Sequence, residues 1–198
     1  MRLIIVANRF PVTTSVHENK VRLHRGSGGM ALGLASYLEH IKKTSPVSEY
    51  LWIGWPGASI PEEKQKEVKE KLNAHKYVPI FLSQQQVENF YNGFANDTLW
   101  PLFHWLPGLV KYRQDEWNAY KEVNELYARA VIQQYRVGDV IWIHDYQLML
   151  VPKILREKLG DQATIGFFLH IPFPSYEIFR LLPDKWRRAL LQGILAPT

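Results

Sequence analysis

Several apolar segments of this chain end in polar or aromatic side chains that could act on a ligand. Arg9 follows LIIVAN, Trp55 ends YLWIGW, His144 and Asp145 end VIWIHD, and His170 ends GFFLH. An arginine pairs with phosphate through two N–H groups, and carboxylates and imidazoles bind hydroxyls or move protons. Ligands of open parallel sheets bind beyond the carboxyl ends of the strands, so these residues predict one site along one rim.

Each of these side chains also has a structural interpretation. Arg9 could be a surface residue at the end of a strand. Asp145 could be the N-cap of a helix that begins at Tyr146, which stabilises a protein by about 0.5–2 kcal/mol without any substrate. His144 and His170 could be structural histidines. Three tryptophans could either fill the hydrophobic core or stack on sugar rings, and these are Trp55, Trp100 and Trp105.

A glycine cluster at HRGSGGMALG (24–33) precedes an apolar helical pattern. Gly26, Gly28 and Ala31 match the spacing of the dinucleotide fingerprint G-x-G-x-x-G/A. That fingerprint belongs in the turn directly after the first strand, whereas about 20 residues intervene here, which argues against a nicotinamide enzyme. Gly28 and Gly29 still allow a close backbone approach, and a helix N-terminus favours an anion.

Composition excludes several classes of function. Lys and Arg total 24 against 19 Asp and Glu, a net charge of +5, with no block of five or six basic residues that would indicate nucleic-acid binding. There are no cysteines, so disulfides and thiolate sites are ruled out. HxH and HExxH motifs are absent, and we expect no metal site. Neither a signal peptide nor a membrane span is recognisable, and we expect a cytoplasmic protein.

The elements that must position these residues alternate between strands and helices. Continuous apolar segments predict buried strands at 3–8, 50–55, 139–145 and 164–170, with a weaker edge strand at 77–82 that contains Pro79. Helical patterns cover 30–43, 61–75, 115–135, 146–160 and 184–195, and Ser83 with Gln86 matches a capping box. This order predicts an α/β fold, a Rossmann-like doubly wound parallel sheet. We expect residues 1–198 to be one domain that is truncated before its end.

Six motifs together resemble the trehalose-6-phosphate synthases, a family of retaining glucosyltransferases with the GT-B fold. They are VANRFP, GSGGMALGL, LWIGWPG, FYNGFANDTLWPLFH, VIWIHDYQLMLVP and GFFLHIPFPSYEIFRLLP. The resemblance runs from Met1 almost to Thr198. It implies transfer of glucose from UDP-glucose, or another nucleoside-diphosphate glucose, to glucose 6-phosphate, with no cofactor and no catalytic metal.

The resemblance also implies the roles of individual residues. Arg9 would pair with the acceptor phosphate, Trp55, Tyr91 and Trp100 would line the acceptor pocket, and Asp145 would hold the hydroxyls of the acceptor sugar. Gly28 and Gly29 would meet the donor diphosphate, and His170 the donor glucose. Asp145 and His170 are therefore the expected catalytic residues.

A GT-B enzyme has two Rossmann-like domains, and the resemblance places residues 1–198 in the N-terminal, acceptor-side domain. The C-terminal nucleotide-sugar domain would be absent, and we expect the isolated chain to be inactive. Two alternatives stay open, a sugar-phosphate-sensing or interaction module on the same fold and a glucosylglycerol-phosphate synthase. Expected partners are the two substrates and, in some assemblies, a second copy of the chain.

Overall fold

The structure is a computed structural model that describes residues 1–17, 20–26, 29–44 and 47–197. Its strands are β1 (Arg2–Arg9), β2 (Val12–His17), β3 (Lys20–Arg25), β4 (Glu49–Trp55), β5 (Tyr77–Pro79), β6 (Val140–His144) and β7 (Thr164–Phe168). Five of them form a parallel sheet in the order β5-β4-β1-β6-β7, and β2 pairs with β3 in an antiparallel hairpin. The predicted parallel sheet is confirmed, with β5 at an edge as its Pro79 indicated.

Helices cover both faces of the sheet. They are α1 (Gly29–Thr44), α2 (Glu62–Asn73), α3 (Gln84–Gln86), a π-helix (Val87–Leu99), α4 (Trp100–Phe103), α5 (Gln114–Gln134), α6 (Val151–Leu159), α7 (Tyr176–Phe179) and α8 (Asp184–Ile194). Short 3₁₀ turns lie at Pro107–Leu109 and Tyr146–Leu148. No helix of the described segments is both long enough and apolar enough to traverse a bilayer.

Alternate residues of β1 belong to different hydrophobic clusters, which is why its sequence is continuously apolar. Ile4 and Val6 pack with the π-helix, α5, α6 and α8, whereas Leu3 and Ile5 pack with α1, α2 and the hairpin. All four side chains are at most 5% exposed. The sheet is therefore doubly wound, and its central strand is covered on both faces.

Local sequence rules explain several helix ends. The predicted capping box is present, because Ser83 Oγ accepts from the Gln86 backbone N–H at 3.2 Å and Gln86 Oε1 accepts from the Ser83 N–H at 3.0 Å. Gly160 ends α6 with φ of +75°, a conformation that favours glycine. The helical pattern over 146–160 is divided into a 3₁₀ turn and α6, and Pro152 lies in the first turn of α6, where a proline is tolerated.

Candidate active site

The rim formed by the carboxyl ends of β1, β4, β6 and β7 gathers most of the predicted site residues. Arg9 ends β1, Trp55 ends β4, His144 ends β6, and His170 follows β7 by two residues. A hydrogen bond from the Asp145 N–H to the Phe168 carbonyl, 2.8 Å long, extends the pairing of β6 and β7 beyond the strands.

Arg9 lies over two neighbouring aromatic rings. Its guanidinium carbon is 4.7 Å from the Trp55 ring centroid and 5.1 Å from that of Tyr91. The two rings are themselves 5.9 Å apart, and the Trp55 indole is fixed by a 3.1 Å bond from Nε1 to the Ala58 carbonyl. Arg9 Nε is buried and has no hydrogen-bond partner among the described residues. Cation–π contacts thus orient a guanidinium that retains hydrogen-bonding capacity for an anion.

The pairing of β1 with β4 is irregular just before Arg9. The pairing of β1 with β4 is regular as far as Val6, which lies opposite Ile53, and then shifts so that Arg9 lies opposite Trp55. Gly54 permits this close approach, because a Cβ there would lie 3.0 Å from the Ala7 carbonyl oxygen. With this shift the Arg9 side chain contacts Tyr91, and β-bulges near binding sites commonly redirect a side chain in this way.

Asp145 has a strained backbone at the end of β6. Its φ of +74° and ψ of 169° lie in a region that residues with a Cβ rarely adopt. Its Oδ1 accepts from the His170 backbone N–H at 3.3 Å, and burial raises the pKa of the carboxyl. The N-cap interpretation is not supported, since Asp145 precedes the 3₁₀ turn but its side chain makes no capping hydrogen bond.

His144 and His170 form a pair between β6 and the segment after β7. His144 Nδ1 lies 3.0 Å from His170 Nε2, and the rings stack at 5.3 Å. His144 is fully buried, whereas His170 is exposed. Burial, together with the charge of His170, lowers the pKa of His144 to about 3, so His144 is neutral at physiological pH. The structural interpretation therefore suits His144, and His170 is the histidine that a ligand can reach.

The remaining predicted residues are Trp100, Gly28 and Gly29. Trp100 is 41% exposed at the start of α4 and stacks on His104 at 4.1 Å. Gly29 is exposed as the first residue of α1, with open space where a Cβ would be. Gly28 falls outside the described residues.

The π-helix joins the surroundings of Arg9 to those of Asp145. It carries Tyr91, and its Asn96 accepts a 3.0 Å hydrogen bond from the hydroxyl of Tyr146, the residue after Asp145. Sequence reasoning missed this link, and it also missed the buried polar residues of α5 that bond to the rim. The repetition of Tyr120, Asn124 and Tyr127 at positions i, i+4 and i+7 of an otherwise apolar helix face could have revealed them.

Comparison with known proteins decides the family. The family model for glycosyltransferase family 20 matches residues 1–198. The chain belongs to glycosyltransferase family 20. A member from Aspergillus fumigatus, named alpha,alpha-trehalose-phosphate synthase [UDP-forming] 1, is 44% identical over 98% of this chain.

Solved structures agree with this family assignment. An alpha,alpha-trehalose-phosphate synthase from Burkholderia xenovorans in complex with glucose-6-phosphate matches all of this chain with a TM-score of 0.75 and 29% identity. An E. coli structure bound with UDP-2-fluoro glucose matches with a TM-score of 0.73 and 32% identity. The chain covers 39% and 38% of these two chains and 37% of the Aspergillus protein. This family 20 chain thus spans well under half the length of its relatives.

Proposed function

We propose that the full-length protein transfers glucose from UDP-glucose to glucose 6-phosphate with retention, forming trehalose 6-phosphate and UDP. The observation that carries the proposal is the Arg9 guanidinium packed over the Trp55 and Tyr91 rings at the strand rim. A guanidinium pairs with a phosphate through two N–H groups, and the aromatic faces suit a sugar ring. The relatives named for UDP-forming trehalose-phosphate synthesis add support.

On the acceptor side, Arg9 takes the phosphate while Trp55 and Tyr91 border the sugar. Asp145 accepts hydrogen bonds from the acceptor hydroxyls, and its burial strengthens those bonds because little water competes for them. Trp100, which is exposed and near the end of the same π-helix as Tyr91, forms the outer part of the pocket.

On the donor side, His170 contacts the glucose while Gly28 and Gly29 approach the diphosphate. Gly29 begins α1, a helix of 16 residues, and the N-terminal N–H groups of a helix favour an anion. In a same-face reaction the acceptor oxygen bonds to the anomeric carbon as the bond to the diphosphate breaks. The proton of the acceptor hydroxyl passes to the departing diphosphate oxygen.

We further propose that residues 1–198 alone do not catalyse the transfer of glucose. The relatives are more than twice as long, and the resemblance assigns the pocket for the nucleotide to their second domain. Trehalose 6-phosphate formation by the isolated chain would contradict this part of the proposal.

Replacement of Arg9 by alanine tests the acceptor assignment. In full-length R9A we expect the KM for glucose 6-phosphate to rise about 10- to 100-fold, as for the loss of a charge-assisted hydrogen bond, with the KM for UDP-glucose nearly unchanged. The measurement is UDP release and trehalose 6-phosphate formation at varied concentrations of each substrate. R129A is the matched control, because Arg129 is exposed on α5 and its nearest carboxylate oxygen, on Glu125, is 3.9 Å away.

Three outcomes would contradict the proposal. An effect of R9A on UDP-glucose alone would show that Arg9 serves the donor. Glucosylation of glycerol 3-phosphate in preference to glucose 6-phosphate would assign the protein to the sister synthases, and binding without turnover would favour a sugar-phosphate sensor.

A further inference from the structure

The helix α5 presents a line of buried polar side chains to the rim of the sheet. Tyr120, Asn124 and Tyr127 are each 0% exposed and lie on one helix face. Tyr120 donates to the Tyr146 carbonyl at 2.7 Å, and Asn124 Nδ2 donates to the Gln147 carbonyl at 3.0 Å. All three side chains hydrogen-bond to main-chain groups near the ends of the strands. The helix α5 therefore holds in place backbone segments that are not held by the pairing of the strands.

Tyr127 contacts the end of β1 directly. Its hydroxyl donates to the Asn8 carbonyl at 2.8 Å, across 119 positions of sequence. Asn8 lies within the shifted interval between Val6 and Arg9, and the pairing of β1 with β6 also ends at Val6. The phenol therefore supplies a partner where the regular ladder is interrupted, one residue before Arg9.

The Tyr127 phenol can act as a constant hydrogen-bond donor. Burial raises the pKa of Tyr127 above its ordinary value, which is already well above neutrality. The Trp55 backbone and the charge of Arg9 oppose that rise in part. The hydroxyl stays protonated at physiological pH and keeps donating to Asn8. Without it, a buried carbonyl would lose its partner, and the end of β1 would shift to find another.

We propose that Tyr127 is a positioning residue that holds Arg9 in the geometry for binding the acceptor phosphate. This inference rests on the function proposed above. Tyr127, a residue of α5, would thus affect the affinity for the acceptor through its hydrogen bond to the Asn8 carbonyl. The bond from Tyr127 fixes the main chain beside Arg9, while Trp55 and Tyr91 orient the guanidinium.

The test is Y127F in the full-length protein, because phenylalanine preserves the ring volume and removes only the donor. We expect the affinity for glucose 6-phosphate, measured by calorimetry, and the corresponding KM to weaken about fivefold, with kcat and the KM for UDP-glucose within twofold of wild type. Calorimetry reports the affinity of the folded fraction even if some protein unfolds. Y135F is the matched control, since the buried Tyr135 hydroxyl has no hydrogen-bond partner among the described residues.

A double-mutant cycle with R9A separates positioning from general stability. We expect Y127F to weaken glucose 6-phosphate binding when Arg9 is present and to have almost no further effect in R9A. An equal effect in both backgrounds, or none in either, would overturn the inference while leaving the proposed function intact. Failure of the wild-type protein to bind glucose 6-phosphate would overturn the proposed function and this inference with it.

Discussion

Asp145 combines a strained backbone with a carboxylate at the predicted catalytic position. A non-glycine residue with φ of +74° and ψ of 169° costs about 1–3 kcal/mol relative to a relaxed conformation. A glycine at this position would relieve the strain, yet it would also remove the carboxylate that accepts from His170. The strain is consistent with a residue retained for function rather than for stability.

Comparison of D145G with D145A tests that interpretation. Both lack the carboxylate, but only alanine keeps a Cβ at the strained position, so we expect D145G to have a free energy of unfolding about 1 kcal/mol higher. Both should fail to form trehalose 6-phosphate. Chemical denaturation of the full-length variants provides the measurement.

The control pair for this comparison is E157G and E157A, at an exposed position of α6. There the order should reverse, because glycine in a helix interior is about 1 kcal/mol less favourable than alanine. A D145A variant as stable as D145G would refute the strain argument.

His144 makes stability depend on pH in a defined direction. Its pKa is about 3 in the folded protein against an ordinary value of 6.5. On acidification the unfolded chain takes up the proton first, so the stabilisation from this group is fully present above about pH 6.5 and is lost as the pH falls toward 3. Between pH 7 and pH 5 the loss is about 2 kcal/mol.

We expect H144N to flatten this pH dependence by about 2 kcal/mol over the same interval. Asparagine places an amide near the former Nδ1 position, so the contact with His170 can persist without a titrating ring. Denaturation of the full-length protein at pH 7, 6 and 5 measures the difference. H75N, at an exposed position, should leave the slope unchanged, and an unaltered slope in H144N would show that another group titrates.

Among the elements, the π-helix packs closely against α5 at Gly93. A Cβ on Gly93 would lie 2.7 Å from Glu116 Cδ and 2.8 Å from its Cγ. Glu116 is 4% exposed and burial raises its pKa. One of its oxygens pairs with Arg113 at 3.1 Å, and the other has no partner within the described part of the chain. Gly93 thus lets α5 pack against the helix that carries Tyr91.

G93A should therefore lower the free energy of unfolding by about 1–3 kcal/mol through overpacking. In the E116A background the added methyl group has space, so the penalty should shrink or change sign. G33A is the control, since Gly33 is an exposed helical glycine with nothing near its missing Cβ, and alanine should stabilise α1 there. A G93A penalty that is identical with and without Glu116 would rule out the contact as the cause.

Elements that form through local interactions were easier to predict from the sequence than elements that form through contacts distant in the chain. The continuous apolar pattern located β1, β4, β6 and β7, and the Ser83–Gln86 capping box was recognisable because its bonds are local. The β2–β3 hairpin was missed although VTTSVH is rich in β-branched residues and KVRLHR alternates apolar with basic residues, as strands do. The π-helix was not predicted from VENFYNGFANDTL, and the close packing of its Gly93 against Glu116 of α5 joins residues that are distant in sequence.

The candidate site shows the same division. The rim itself was predictable from the polar residues at the ends of parallel strands. The grouping of Arg9 with Trp55 and Tyr91 followed from the family resemblance, and the structure brings those three together. Trp100 stacks on His104, and its place in the same pocket stays a prediction. Tyr127 escaped notice because its partner Asn8 is 119 positions away.

For the molecule as a whole, the site draws on segments from most of the chain. β1 lies between β4 and β6, and the Arg2–Asp139 ion pair at the opposite end of β1 joins residues 137 positions apart. Its Asp139 carboxylate is 5% exposed, and the hydrogen bond from Arg2 contributes to keeping the pKa of that acid low. Both ends of the central strand are therefore fastened by contacts that are distant in sequence.

The bond between Tyr127 and Asn8 also bears on how the protein acquires its activity during folding. Closing a loop of more than a hundred residues is slow and entropically unfavourable until other contacts have brought its ends together. The arginine pocket can take its final shape only after β1 has been enclosed by strands and helices from the later part of the chain. If Arg9 binds the acceptor phosphate as proposed, a partly folded or nascent polypeptide would lack that affinity until the later elements have packed around β1.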